Sequence, residues 1–259
     1  TVIYDFLKQE RELQIYCIGD LDDFYWPQTI WFALKDKKII KSLALLYVGM
    51  DTPTLLLFHK GSSAFSKHLL EGIRDFLPQE LNVHLSTGLL EVFERRDVLT
   101  YYGFSHKMIL KKNVAKPDDQ HIRRLTIDDV PSLVELLAIS YPQNWFDSRM
   151  IQTGKYFGYF NDGQLIGVAG IHVYSEEYKV AALGNITVHP GYRRQGIASK
   201  LTLALCYDLQ KSTDVIGLNV RAENESAIKC YSNIGFEIIG SYNECYVKNE
   251  QNKEMPTDS

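Results

Sequence analysis

The hexapeptide Arg193-Arg194-Gln195-Gly196-Ile197-Ala198 carries the strongest chemical signal in the chain. Before it, Ile186 and Val188 alternate with Asn185 and Thr187 as in a strand, and Pro190-Gly191 stops that strand. After it, Ile197, Leu201, Ala204 and Leu205 recur at helical spacing. A helix that opens on a glycine and two arginines suits an anion. Its first N–H groups have no intrahelical partner, and the helix dipole favours negative charge. Gly196 lets a phosphate reach the main chain without meeting a Cβ, and Arg193 and Arg194 can add charge-assisted hydrogen bonds. Ser199 shares this first turn. The competing reading is an ordinary strand–helix junction with two solvated arginines. The turn carries neither Gly-Lys-Ser/Thr nor Gly-x-Gly-x-x-Gly, which argues against a nucleoside triphosphatase loop and a dinucleotide fold.

Other candidates are more ambiguous. His172, on the preceding strand, has an imidazole suited to base work near neutral pH, but reads more readily as a hydrogen-bonded strand histidine. Glu176 and Glu177 read as solvated turn residues, and His189 as a turn residue beside Pro190. Tyr141, Trp145, Phe146, Asp147 and Tyr156 cluster in or beside a loop-rich stretch over 140–155 and are the expected wall of an acceptor pocket. Each alone reads as core under a long loop. Tyr231 shares an amphipathic helix with Ala227 and Ile228, where packing is its usual role.

These residues need a scaffold. Residues 29–34 and 39–48 flank Asp36-Lys37-Lys38 as a hairpin, and 54–58 follows as a third strand. A helix opens at Ser66, and 81–85 is a short strand. Residues 13–18 read as a possible strand, and 86–96 as a helix. Residues 111–120 are polar, with Pro117 and Asp118-Asp119, and mark a boundary. The second half then repeats the order of elements. Tyr102-Gly103-Phe104 answers Asn233-Ile234-Gly235-Phe236. Where the second half has its arginine turn, the first has Gly61-Ser62-Ser63-Ala64-Phe65-Ser66, which has no arginine. The first half reads as a copy that kept the fold and lost the anion site.

Composition sets bounds. The chain has 259 residues, 45% hydrophobic and 23% charged, as in a soluble globular protein. A net charge of −4 without a basic run argues against nucleic acid, and no apolar stretch reaches the ~18 residues of a membrane span. The four cysteines form no Cys-x-x-Cys pair, which suits a reducing cytoplasm and argues against a metal site.

The second half resembles the GCN5-related N-acetyltransferase (GNAT) family. The resemblance covers residues 122–246 and rests on ITVHPGYRRQGIASKL and LNVRAENESAIKCYSNIGFEIIG, in that order. Within the family it most resembles the FR47-like subgroup, related to glycine N-acyltransferases. The implied fold is α/β (mixed α+β), with two tandem GNAT-like domains, each a twisted, mostly antiparallel sheet flanked by helices. The degenerate domain would span 1–116, the catalytic one 117–248, and a polar tail 249–259.

The resemblance implies acetyl-CoA, or another acyl-CoA, as co-substrate, with no metal. Main-chain N–H groups from Arg194 to Ala198 would hold its pyrophosphate. Ile186, Thr187 and Val188 would face the pantetheine arm, and a strand N–H near Ile186 or Thr187 would polarise the thioester carbonyl. Asn224 would touch the CoA arm or cap its helix. Tyr231 would protonate the departing thiolate. Many relatives carry a glutamate near the start of the central strand. Here Ala181-Ala182-Leu183-Gly184-Asn185 has none, so the candidates for the base are His172, Glu176 or Glu177, or no side chain at all. The implied reaction is acetyl transfer to the primary amine of a small molecule or amino acid, with Trp145, Phe146 and Tyr156 about the acceptor. A CoA-binding regulator without turnover, and an enzyme acting on a peptide amine, are the alternatives. A homodimer is left open.

Overall fold

The computed structural model describes residues 1–249. Of the expected polar tail, all but Asn249 lies outside the described residues. The strands are β1 (Thr29–Asp36), β2 (Ile39–Tyr47), β3 (Thr54–Leu57), β4 (Glu80–Ser86), β5 (Val98–Leu110), β6 (Ile122–Arg124), β7 (Phe157–Asn161), β8 (Gln164–Ser175), β9 (Val180–Val188), β10 (Val215–Arg221) and β11 (Phe236–Lys248). The α-helices are α1 (Val2–Leu7), α2 (Ile15–Gly19), α3 (Ala64–Ile73), α4 (Val130–Ser140), α5 (Ile197–Leu209) and α6 (Glu225–Ile234).

Among the described residues these strands form one sheet, in the order β1-β2-β3-β4-β11-β5-β10-β9-β8-β7-β6. Its two parallel pairs are β3 with β4 and β9 with β10. Parallel neighbours need a crossover, which α3 supplies in the first half and α5 in the second. This is the repeat visible in the sequence. The halves also exchange their last strands. β5, from the first half, lies between β10 and β11, and β11, from the second, lies between β4 and β5. The segment 111–121 that joins the halves runs from β5 to β6.

The buried residues follow this interlock. Met108 of β5 belongs to the second half's core, with Leu133, Leu201 and Phe236. Cys245 and Val247 of β11 belong to the first half's core, under Leu69 and Leu70 of α3. A third cluster joins α1 and α2 to the middle of the sheet through Leu7, Ile15, Ile18, Ile109, Val173 and Tyr242.

Two local expectations are corrected. The possible strand over 13–18 is the helix α2, because Ile15 and Ile18, about one turn apart, are both buried. The helix expected over 86–96 is instead the end of β4 and two short 3-10 turns, Leu90–Val92 and Arg95–Asp97. A capping box between Glu94 and Asp97 starts the second turn afresh.

Candidate active site

β9 and β10 pair from Val180↔Val215 to Leu183↔Leu218 and then part. Past that point β10 continues against β5, from Asn219↔Lys107 to Arg221↔Ser105. The later residues of β9 therefore have a strand on the β8 side only, and a cleft opens on the other. The equivalent pair in the first half makes no such cleft. There β4 is covered over 82–85 by β3 and over 80–86 by β11.

A bulge marks the mouth of the cleft. Val168 faces Thr187 and Gly170 faces Gly184, so Asn185 and Ile186 stand opposite the single residue Ala169. Asn185 has φ +53, a conformation asparagine tolerates better than most side chains. Its Nδ2 donates to Tyr156 Oη at 2.9 Å, and that hydroxyl donates to Ile171 O at 2.8 Å. Thr187 Oγ1 donates to Ser140 O at 3.3 Å.

The arginine turn lies across the cleft. Gly196 is the N-cap of α5 with φ +77, and no side chain caps this helix. Apart from Gly196 and its immediate chain neighbours, nothing lies within 4 Å of the place a Cβ would occupy there, so the approach to the first-turn amides of Ile197, Ala198 and Ser199 is open. The two arginines differ. Arg193 Nε donates to Val188 O at 3.1 Å, and its guanidinium donates to Ser140 O at 3.3 Å, tying the turn to β9 and α4. The exposed side chain of Arg194 has no hydrogen bond or ion pair among the described residues. Gln195 is exposed in the turn, outside the cleft.

α6 forms the opposite wall. Asn224 Oδ1 accepts from Ala227 N at 3.1 Å and from Ser226 Oγ at 3.0 Å, so its side chain caps the helix. Tyr231, half-buried, lines the cleft and meets Phe236 edge-on at 6.0 Å between ring centroids. Burial, helped by Cys230, Tyr141 and Cys206, raises its phenol above the usual range and keeps it protonated.

The cleft opens into a cavity of about 990 Å³ that reaches the first half. Trp145, Tyr141 and His172 line it from the second half, and Asp20, Tyr47 and His84 from the first. Tyr156 and Phe146, expected in its wall, stand behind it. Tyr156 is fully buried, and Phe146 packs on its edge at 5.6 Å. Asp147 accepts from Arg149 Nε at 2.8 Å. His172 is pulled down to about 4 by burial, with His84 adding to the effect. At neutral pH it is therefore an uncharged imidazole and a weak base.

Sequence reasoning missed Glu244, Asp20 and His84. Glu244 Oε2 accepts from Ser105 Oγ at 3.0 Å, and its Oε1 lies 3.7 Å from His84 Nε2. A charged residue between Tyr242 and the buried Cys245 and Val247 was the available signal. For Asp20 the signal was an acid ending the apolar run of α2. Among the described residues, no three His, Cys, Asp or Glu side chains gather as a metal site, and no helix is long and apolar enough to cross a membrane.

A sequence profile of the acetyltransferase (GNAT) family matches residues 122–236. The [ribosomal protein bS18]-alanine N-acetyltransferase of Escherichia coli (strain K12) is 32% identical over 120 residues, 44% of this chain and 79% of that protein. The chain belongs to the acetyltransferase (GNAT) family. An uncharacterized protein of Mycobacterium leprae (strain TN) is 36% identical over 105 residues, 39% of this chain, and the match spans only 28% of that longer protein. A GNAT-family putative acetyltransferase from Novosphingobium aromaticivorans has a TM-score of 0.64 at 18% identity, covering 85% of this chain and 92% of its own. A tandem GNAT protein from the clavulanic acid biosynthesis pathway has a TM-score of 0.53 at 14% identity, covering 92% of this chain and 88% of its own. The likeness to these two is one of GNAT fold, and it extends over both halves.

Proposed function

We propose that this GNAT protein transfers an acetyl group from acetyl-CoA to the primary amine of a small molecule. The reaction forms an amide bond and releases CoA as its thiol. The observation that carries this reading is the meeting of open helix-start amides and the Tyr231 phenol in one cleft. The first-turn amides of α5, with Arg194 beside them, suit a diphosphate. The uncovered main chain of β9 at Ile186, Thr187 and Val188 suits an extended amide-bearing arm, and its N–H groups suit the thioester oxygen.

In this reading the amine nitrogen attacks the thioester carbonyl, the carbon–sulfur bond breaks, and Tyr231 gives its proton to the leaving sulfur. Glu244, a carboxylate on the same cavity, takes the proton the amine loses, through water. His172 walls the acceptor. A reducing compartment such as the cytoplasm suits the four free cysteines.

Thiol release from acetyl-CoA with a broad amine panel tests the proposal. Amine-dependent release above hydrolysis supports it. Tight CoA binding with no stimulation by any amine would make the protein a CoA-binding regulator. A second reading takes a protein amine as acceptor, favoured by the bS18-alanine acetyltransferase that matches part of the chain. Alanine-terminated peptides outcompeting every small amine would establish it.

A further inference from the structure

We propose that Asp20 is an acceptor-binding residue, and that the acceptor is a small amine with a second positive charge which this carboxylate holds away from the reacting nitrogen. The inference rests on the transfer reaction proposed above.

Asp20 is 5% exposed and lines the same cavity as Tyr231. Among the described residues its side chain has no hydrogen bond and no ion pair. An acid largely withdrawn from water and without a protein partner is costly, and this one keeps its opening toward the cavity, where a partner can be brought in. Its position is fixed from both sides. Asp20 closes α2, and its predecessor Gly19 touches β8 so closely that a Cβ there would lie 2.8 Å from Val173 Cβ. The carboxyl is thereby held at the cavity, next to the strand that carries His172.

The neighbours suit a cation. Tyr47 lines this end and is fixed by donating its hydroxyl to Gln28 Oε1 at 2.6 Å. Thr54 Oγ1 and His84 Nε2 line the cavity, buried without a hydrogen bond. The buried lysine of this region, Lys107, faces aromatic rings and makes no ion pair with Asp20. Its Nζ lies 3.7 Å from the Phe58 ring centroid, 5.2 Å from that of Tyr16 and 5.3 Å from that of Tyr242. Burial lifts Asp20 to about 8 in the protein alone, and a cation placed beside it favours its charged form. An acceptor carboxylate would instead meet Asp20 and Glu244. All of these recognition groups lie outside residues 122–236, where the family profile matches.

The test uses the full chain, acetyl-CoA and three matched acceptors: an α,ω-diaminoalkane, the monoaminoalkane of equal length and the ω-amino acid of equal length. Calorimetry of the diamine against the protein saturated with CoA runs alongside. The expected order of kcat/KM is diamine, monoamine, amino acid, with the first step about tenfold or more. In Asp20→Asn and in the shorter Asp20→Ser, the diamine-to-monoamine ratio falls to near one, and retained CoA affinity shows each variant folded. A wild-type ratio near one, or a ratio that survives both substitutions, overturns the assignment. Should no amine be acetylated, the transfer reading fails on its own. Diamine binding lost in both variants then still upholds the cation site, and binding indifferent to Asp20 overturns it.

Discussion

Asn185 Nδ2 donates to Tyr156 Oη at 2.9 Å, and this contact couples the bulge of β9 to the core beneath it. The tyrosine ring fills the space over Gly170, where a Cβ would lie 2.1 Å from Tyr156 Cε1. Tyr156→Phe keeps the ring, leaves Asn185 Nδ2 without its partner and removes the hydroxyl's bond to Ile171 O. The expected cost is about 1–3 kcal/mol, read as a lower urea midpoint at unchanged slope. CoA affinity should fall with it, because the bulge loses its tether. Unchanged stability would show that the hydroxyl holds nothing.

The adjacent arginines should separate cleanly. Arg194→Ala is expected to weaken CoA binding by about tenfold with little change in Tm, since its side chain has no partner among the described residues. Arg193→Ala should lower Tm, because it removes the links to Val188 O and Ser140 O. Calorimetry and thermal unfolding on the two variants check this, and the reverse pattern contradicts the assignment.

Tyr231→Phe should lower kcat by about a hundredfold or more while the KM for acetyl-CoA changes little. The raised phenol also predicts a pH profile. Its ionisation lies above the range of an ordinary tyrosine, so kcat should show no fall from this group below about pH 10. An alkaline limb near pH 8 that disappears in Tyr231→Phe would contradict that environment.

Asp20 makes stability depend on pH in a known direction. Burial raises it from 3.8 to about 8, so the folded protein keeps a proton that the unfolded chain gives up between those values. Stability from this group is full below about pH 4 and falls as pH rises toward 8. Lys107 acts oppositely and in another window. It is lowered from 10.5 to about 7, so its contribution rises with pH above 7. Asp20→Asn removes only the first effect. Its Tm relative to wild type should climb between pH 5 and pH 8, and a flat difference would place Asp20 in contact with water or a partner charge.

The elements of the proposed donor side were legible in the sequence because they depend on neighbours along the chain. The glycine at 196, the strand before it and the helix after it form one local unit, and the Asn224–Tyr231 helix is another. The proposed acceptor side was not legible, because it depends on strand exchange. Glu244 reaches the cavity on β11, which crosses between β4 and β5, and His84 lies on β4 beside it. No periodicity reports which half a last strand joins. Tyr156 was misplaced for a related reason. An aromatic beside a long loop reads as pocket wall, and only the register of β7 against β8 and the bulge in β9 place it underneath.

The most direct measurement is a crystal structure of the protein with CoA. The diphosphate should sit on the main-chain amides from Arg194 to Ala198, the pantetheine arm should run beside Ile186–Val188, and the thiol should lie within hydrogen-bond reach of Tyr231 Oη. CoA bound in the first half, or a Tyr231 hydroxyl turned away from the sulfur, would contradict the account.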